Sequence, residues 1–328
     1  MSPSPSALLD LRPQPGAPPI ARAELDGDAS DWVAAHRDAL RGAVTEYGAV
    51  LVRGLGLWDA AGVAEVAARL GGGPMAEREA FAPRTPYPGG VYSSTTWPAN
   101  QPMCMHHELS YAREFPALML FACLTAPAEG GATGVADASA VLEALPPALV
   151  ERFEREGWLL TRGYNDEVGA SWTDSFGTDD GAAGRAAVER YCLANGIEFQ
   201  WQPDGGLRTR QRRPAVVRHP VTGRRCWFNQ IAFLNEWTLA DEVREYLIDD
   251  YGPDGLPFNT RFGNGDPIDA RTVALIDEIY QAHTAREPWQ AGDLLLVDNI
   301  GTAHSREVFT GPREVLVSMI DPVRLDGR

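Results

Sequence analysis

The chain contains no lysine: all 29 of its basic residues are arginine, set against 45 acidic residues, and the formal charge over 328 residues is −16. That absence removes Schiff-base chemistry on a pyridoxal cofactor, the phosphate-gripping lysine of P-loop enzymes and the strand lysine of protein kinases. The acidic balance likewise excludes a general nucleic-acid binder, which needs clustered cations for phosphate. Cysteine is scarce too. Cys104, Cys123, Cys192 and Cys226 form no C-x-x-C pair, so reduced thiols are expected rather than a disulfide frame. No run approaches the roughly 18 apolar residues of a membrane span. The N-terminus carries Pro3, Pro5, Pro13, Pro15, Pro18 and Pro19 where a signal peptide would have a basic stretch and an apolar core. Neither a signal peptide nor a membrane helix is expected, which points to a cytoplasmic protein with no membrane partner.

What is present is enough apolar sequence, 44% of residues, to build a sizeable core. Residues 1–22 are proline-rich and weakly hydrophobic and read as a tail, leaving 23–328 as one domain. Helical spacing runs from Trp32 to Tyr47 and from Ala60 to Leu70, with the apolar run 49–52 between them reading as a buried strand. Further β-rich runs lie at 117–123, 215–218, 226–229, 293–298 and 314–319. Helical stretches at 139–156, 184–195, 239–250 and 270–286 suggest a large helical insertion in the centre.

Only six histidines occur. His36 and His283 fall on charged helix faces and read as solvated, whereas His219 precedes Pro220 in a turn and reads as a hydrogen-bonding residue. His106 and Glu108 differ in their spacing. If 103–109 is extended, side chains at i and i+2 share a face, so an imidazole and a carboxylate can grip one metal while His107 faces away. His304, just beyond the strand ending at Asp298, is the candidate third ligand. Two histidines and a carboxylate on one triangular face leave adjacent positions open, the arrangement of non-haem Fe(II) oxygenases. Taken alone, an H-x-E pair also arises by chance among 45 acids, and a structural pair stays open as an alternative at this point.

The stretches Met105-His106-His107-Glu108-Leu109-Ser110-Tyr111, 129–137, and 292–313 with Asp298-Asn299, His304-Ser305-Arg306 and Gly311-Pro312-Arg313 resemble the TauD/TfdA family of Fe(II)- and 2-oxoglutarate-dependent dioxygenases, most closely its SyrP-like branch. The similarity extends over most of the chain beyond residue 22, through Ser171-Trp172, 207–214 and Trp227-Phe228-Asn229-Gln230. It implies a mixed α+β fold with a double-stranded β-helix (jelly-roll) core and flanking helices. It also implies His106, Glu108 and His304 as iron ligands, Thr133 and Arg313 as the holders of the distal carboxylate of 2-oxoglutarate, and O2 as the second co-substrate. Independently, a planar guanidinium is the side chain suited to bidentate carboxylate binding, and Arg306 is a rival to Arg313. Val317 stands where some family members have a further arginine. An intact Glu108 favours hydroxylation over halogenation, with desaturation or cyclisation as variants. Tyr92, Ser94, Asn229 and Arg306 are the candidate substrate contacts. The implied substrate is an amino acid or a natural-product intermediate derived from one, either free or tethered to a peptide-synthetase carrier domain; the chain's negative charge leans towards the free molecule. Two readings from other classes compete, a Zn or Mn hydrolase or lyase and an inactive barrel serving as a binding module.

Overall fold

The computed structural model describes residues 9–75, 79–82, 84–164, 169–252 and 255–324. Its centre is a seven-stranded sheet in the order Ile20–Arg22, Ala49–Arg53, Leu294–Asp298, Glu114–Thr125, Glu314–Arg324, Val91–Ser93 and Pro86–Tyr87. A four-stranded sheet, Thr284–Ala285, Thr133–Asp137, Thr302–Arg306 and Met103–His106, shares a core with it. Strand alternation explains why the large sheet reads as near-continuous apolar sequence. Leu51, Met119, Phe121, Leu295, Val297 and Val317 point towards the small sheet. The intervening Val50, Val52, Leu120, Leu294, Leu296 and Leu316 pack under the helices Ala29–Tyr47 and Ala60–Leu70. Both faces are thus dry. The result is the jelly-roll architecture, two stacked sheets with helices outside.

The helices begin where aspartate offers an N-cap: Asp28, Asp59, Asp137 and Asp269 each accept backbone N–H groups of the first turn. The first helix stops at Gly48, whose φ of 78° suits glycine and where a Cβ would collide with Thr302 Oγ1. The chain therefore turns straight into the strand Ala49–Arg53.

Two expectations need correction. Within the segment read as a tail, Leu9 and Leu11 are buried among the helices, and Ile20–Arg22 pairs in parallel with Leu51–Arg53. Proline content hid a short edge strand; residues 1–8 lie outside the described residues. The central insertion is not purely helical either. Beside the helices Pro147–Glu156, Ala182–Asn195 and Asp241–Tyr251 it holds a second four-stranded sheet, Ile197–Trp201, Leu207–Arg213, Trp158–Tyr164 and Asn259–Phe262. Its strand Leu207–Arg213 reads LRTRQRR, too polar to announce itself, yet Leu207, Thr209, Gln211 and Arg213 are buried and the arginines between them face outward. The helix expected over 270–286 ends at Ala282, and Thr284–Ala285 joins the small sheet. Among the described residues no helix is long and apolar enough to cross a membrane.

Candidate active site

His106 and His304 are direct partners on neighbouring antiparallel strands. That pairing puts both imidazoles on one face of the small sheet, with ring centroids 4.3 Å apart. Glu108 reaches the same point by another route than the sequence suggested. The strand ends at His106, and Glu108 opens a turn in which Leu109 adopts a positive φ of 54°. The turn is held by Asn299, which is fully buried. Its Oδ1 accepts the Glu108 N–H at 2.7 Å, and its Nδ2 donates to the carbonyls of Glu108 and Pro116, both at 2.9 Å. The Asn299 carbonyl accepts from His107 Nδ1 at 2.6 Å, so His107 does face away from its neighbours. Asp298 fixes the Asn299 turn in turn, accepting from the N–H groups of Ile300 and Gly301 and from His219 Nε2. His219 thereby has the hydrogen-bonding role expected of it.

The ligand atoms of His106, Glu108 and His304 all lie within 4.8 Å of one another, and all three residues are buried. His106 Nδ1 donates to the Cys104 carbonyl at 2.8 Å, which fixes the tautomer and leaves Nε2 as a lone-pair donor. His304 Nε2 stands 3.8 Å from Glu108 Oε2. Burial pushes the His106 value below the ordinary imidazole range, and burial together with the charge of His106, His107 and Arg84 pushes His304 well below it. Neutral imidazoles beside a carboxylate form a donor set suited to a divalent metal.

One side of this triad is lined by Ser94, Phe121, Thr133, Arg306, Arg313 and Val317. Thr133 and Arg306 are cross-strand partners, two positions along from Val135 and His304. Burial and the nearby Arg306 charge push the Arg313 guanidinium down to about 10, so it remains a cation at neutral pH. Its Nε donates to the Gly131 carbonyl at 3.1 Å, and among the described residues no carboxylate lies within ion-pair distance of it. A half-buried cation with no counter-ion among the described residues is a receptor for an anion. Arg306 is differently employed: its guanidinium donates to the carbonyls of Trp97, Pro98 and Gln101, clamping the segment 97–101.

Of the candidate substrate contacts, Ser94 and Arg306 line this cavity. Tyr92 lies on the strand Val91–Ser93 and packs against the main core. Asn229 is buried in a turn, donating to the Ala215 carbonyl and accepting the Ile231 N–H. The structure does not bring these two to the triad.

Arg84 was missed. Its Nη2 donates to Glu108 Oε2 at 3.0 Å and its Nε to Thr95 Oγ1 at 3.1 Å, and both charged side chains of the pair are only 8% exposed. Set among Pro83, Thr85 and Pro86, it carries no periodicity or motif that would mark it.

The chain matches the family model described as taurine catabolism dioxygenase TauD, TfdA family, over residues 10–319. It is 34% identical over 283 residues to the dapdiamide synthesis protein DdaC of Enterobacter agglomerans, covering 85% of this chain and 84% of that one. A clavaminate synthase-like protein of Arabidopsis thaliana is 31% identical over 286 residues, 84% of this chain and 82% of its own. Among solved structures, PvcB of Pseudomonas aeruginosa superposes with a TM-score of 0.57 at 16% identity, over 99% of this chain and 95% of PvcB, a likeness of fold. The protein belongs to the TauD/TfdA family of Fe(II)- and 2-oxoglutarate-dependent dioxygenases.

Proposed function

We propose that His106, Glu108 and His304 hold Fe(II), that Thr133 and Arg313 bind the distal carboxylate of 2-oxoglutarate, and that the enzyme hydroxylates an unactivated C–H bond of a small molecule. The substrate is an amino acid or a natural-product intermediate built from one. The overall change is substrate C–H plus 2-oxoglutarate plus O2 to substrate C–OH plus succinate plus CO2. Bound iron supplies the redox chemistry that couples decarboxylation of the keto acid to oxidation of the C–H bond.

The observation that carries the reading is the half-buried Arg313 cation, with no carboxylate partner among the described residues, in the same cavity as the three clustered donors. A hydrolytic Zn or Mn site would use the donors and leave that cation without a purpose. Arg313 and the Thr133 hydroxyl give a dicarboxylate one fixed end, so its other end is presented to the metal. Phe121, Val315 and Val317 line the same space and keep it poor in water. Asn299 and Arg84 hold Glu108 by its backbone and by Oε2 respectively. The names of the two curated relatives, one of dapdiamide synthesis and one clavaminate synthase-like, support the natural-product reading. A carrier-tethered aminoacyl substrate is the second reading, favoured by the outward row Arg208, Arg210 and Arg212, which suits an acidic partner.

Anaerobic Fe(II) with 2-oxoglutarate should produce a weak visible charge-transfer band that His304→Ala lacks, and air should then release succinate with a suitable substrate. A wild type with neither band nor succinate defeats the dioxygenase reading.

A further inference from the structure

The side of the triad away from Arg313 is walled by Phe81, Trp97, Tyr111, Gln230 and Phe233. Phe233 stacks on the His106 imidazole with 4.7 Å between centroids, and the Trp97 ring lies 6.1 Å from Phe233. Trp97 opens a short strap, residues 97–101, which forms neither helix nor strand and is exposed from Pro98 onward. What fixes the strap comes from the opposite side of the site. Arg306 is buried and lines the Arg313 cavity two residues after His304. It donates to the carbonyls of Trp97 at 3.1 Å, Pro98 at 2.7 Å and Gln101 at 2.6 Å, which leaves its buried Nε without a partner among the described residues. The Phe309 N–H donates to the Ala99 carbonyl at 3.0 Å. The Phe309 ring packs against two guanidiniums, Arg306 at 5.1 Å and Arg313 at 5.5 Å from its centroid.

We propose that Arg306 is a positioning residue that joins the two sides of the site: co-substrate at Arg313 steadies Arg306, and Arg306 sets Trp97 over the substrate side through the strap 97–101. The inference rests on the dioxygenase reading above and adds to it a coupling between the two binding sides. Two like charges beside one aromatic ring in a poorly hydrated cavity repel each other, and the Arg306 charge already lowers Arg313. An Arg306 turned out to solvent would escape that repulsion and regain water at Nε, but it would release three carbonyls at once. The distal carboxylate of 2-oxoglutarate removes the reason to turn out, because it offers negative charge to both guanidiniums. The strap is then held more firmly and Trp97 closes against Phe233. Such coupling is reciprocal: loosening the strap weakens 2-oxoglutarate binding by the factor by which 2-oxoglutarate firms the strap. The factor is small, since Arg306 keeps its three hydrogen bonds before the co-substrate arrives.

The test uses Mn(II)-loaded protein and acrylamide quenching of tryptophan fluorescence. The chain has nine tryptophans, so the share of Trp97 is read as the difference between wild type and Trp97→Phe. Saturating 2-oxoglutarate, its binding followed by calorimetry, should lower the quenching of Trp97. At equal occupancy 2-oxopentanoate, which keeps the keto-acid end but has a methyl group in place of the distal carboxylate, should not. Arg306→Met should raise the quenching of Trp97 and abolish its response to 2-oxoglutarate, while 2-oxoglutarate affinity falls only a few-fold. Arg306→Lys keeps the charge but cannot fork to three carbonyls, so it should fall between the two. If Arg306→Met does not fold, the Lys variant decides: its Trp97 quenching must exceed that of wild type and its response to 2-oxoglutarate must shrink. An arginine that held the strap for stability alone would loosen it when replaced, yet wild-type Trp97 would ignore bound 2-oxoglutarate, and that result overturns the proposal. So does a response that survives Arg306→Met, a Trp97 quenching unchanged in that variant, or an equal response to 2-oxopentanoate. Failure of 2-oxoglutarate itself to bind the Mn(II) protein sinks the dioxygenase reading, whereas bound 2-oxoglutarate with no response at Trp97 sinks this inference alone.

Discussion

The two sides of the triad are made by different means. The Arg313 side is built on barrel strands: Thr133 and Arg306 face each other across a ladder, and Arg313 immediately precedes the strand Glu314–Arg324. The other side draws on connecting segments at 79–82 and 94–97 and on Arg84, with Arg84 and Thr95 bordering both sides, and the insertion holds Glu79 and Ala80 from behind. Arg162 donates to the carbonyls of Glu79 and Ala80, Gln211 donates to Glu79 Oε2, and Tyr191 donates to Oε1. Chemistry common to a family is safest on strands whose pairing over-determines each side chain. Selectivity is placed on loops that can change without disturbing the barrel.

The sharpest way to break this contrast is to remove the triad that both sides share. His304→Ala or Glu108→Ala should weaken Mn(II) binding beyond the roughly 10–100-fold seen when only an outer partner of a metal ligand is lost, as measured by calorimetry on folded protein. Retained affinity would mean that the metal, if any, sits elsewhere. Next comes the choice between the two arginines of the strand-built side. Arg313→Met should weaken 2-oxoglutarate binding about 100-fold, as expected for losing a bidentate charged contact. Arg306→Met should change that affinity only a few-fold but lower the melting temperature, because three carbonyls of the segment 97–101 lose their donor. The reverse ranking would make Arg306 the co-substrate anchor.

The contrast also explains what the sequence could reveal. The apolar runs 49–52, 293–298 and 314–319 became strands because both faces of the large sheet are buried, a pattern that composition displays. His106, Glu108, Thr133, His304 and Arg313 were legible through their resemblance to a family, and they converge on one cavity. Arg84 was not legible, since its meaning depends on where a proline-flanked segment is pinned by Arg162 and Gln211, about 80 and 130 residues further on. Tyr92 and Asn229 misled because a polar residue near a motif in sequence can be spent on a turn or on packing. The inserted sheet stayed hidden for a related reason: Gln211 and Arg213 are buried through hydrogen bonds to Glu79 and Tyr111, not through apolar character.

Asn299 joins the two sides, since it shapes the Glu108 turn from the end of a barrel strand. Asn299→Ala leaves the Glu108 N–H and two buried carbonyls without a partner. It should cost about 2–4 kcal/mol of stability and about tenfold in Mn(II) affinity. Urea denaturation and calorimetry read the two effects separately. A stability loss with unchanged metal affinity would show that Glu108 finds its place without the clamp.

The smallest effect concerns the loop-built side alone. Glu79 is fully buried at a positive φ of 56°, and burial holds its carboxyl above the ordinary 4.5 despite the donors around it. The folded protein therefore keeps a proton that the unfolded chain has released, so the contribution of Glu79 is fullest below pH 4.5 and is lost as pH rises through the raised value. Glu79→Gln has no such titration and can still accept from Gln211 while offering an N–H to the Tyr191 oxygen. Its stability relative to wild type should rise as pH climbs above the ordinary 4.5, measured by urea denaturation at several pH values. A flat difference would mean that Tyr191, Gln211 and the neighbouring arginines hold Glu79 as an ordinary carboxylate. Mn(II) and 2-oxoglutarate affinities should not move in this variant, because the groups bonded to Glu79 are Tyr111, Arg162, Tyr191 and Gln211 and none of them lines the Arg313 cavity. If both affinities shift with the stability, the two sides of the site are one mechanical unit and the division between strand-built chemistry and loop-built selectivity does not hold.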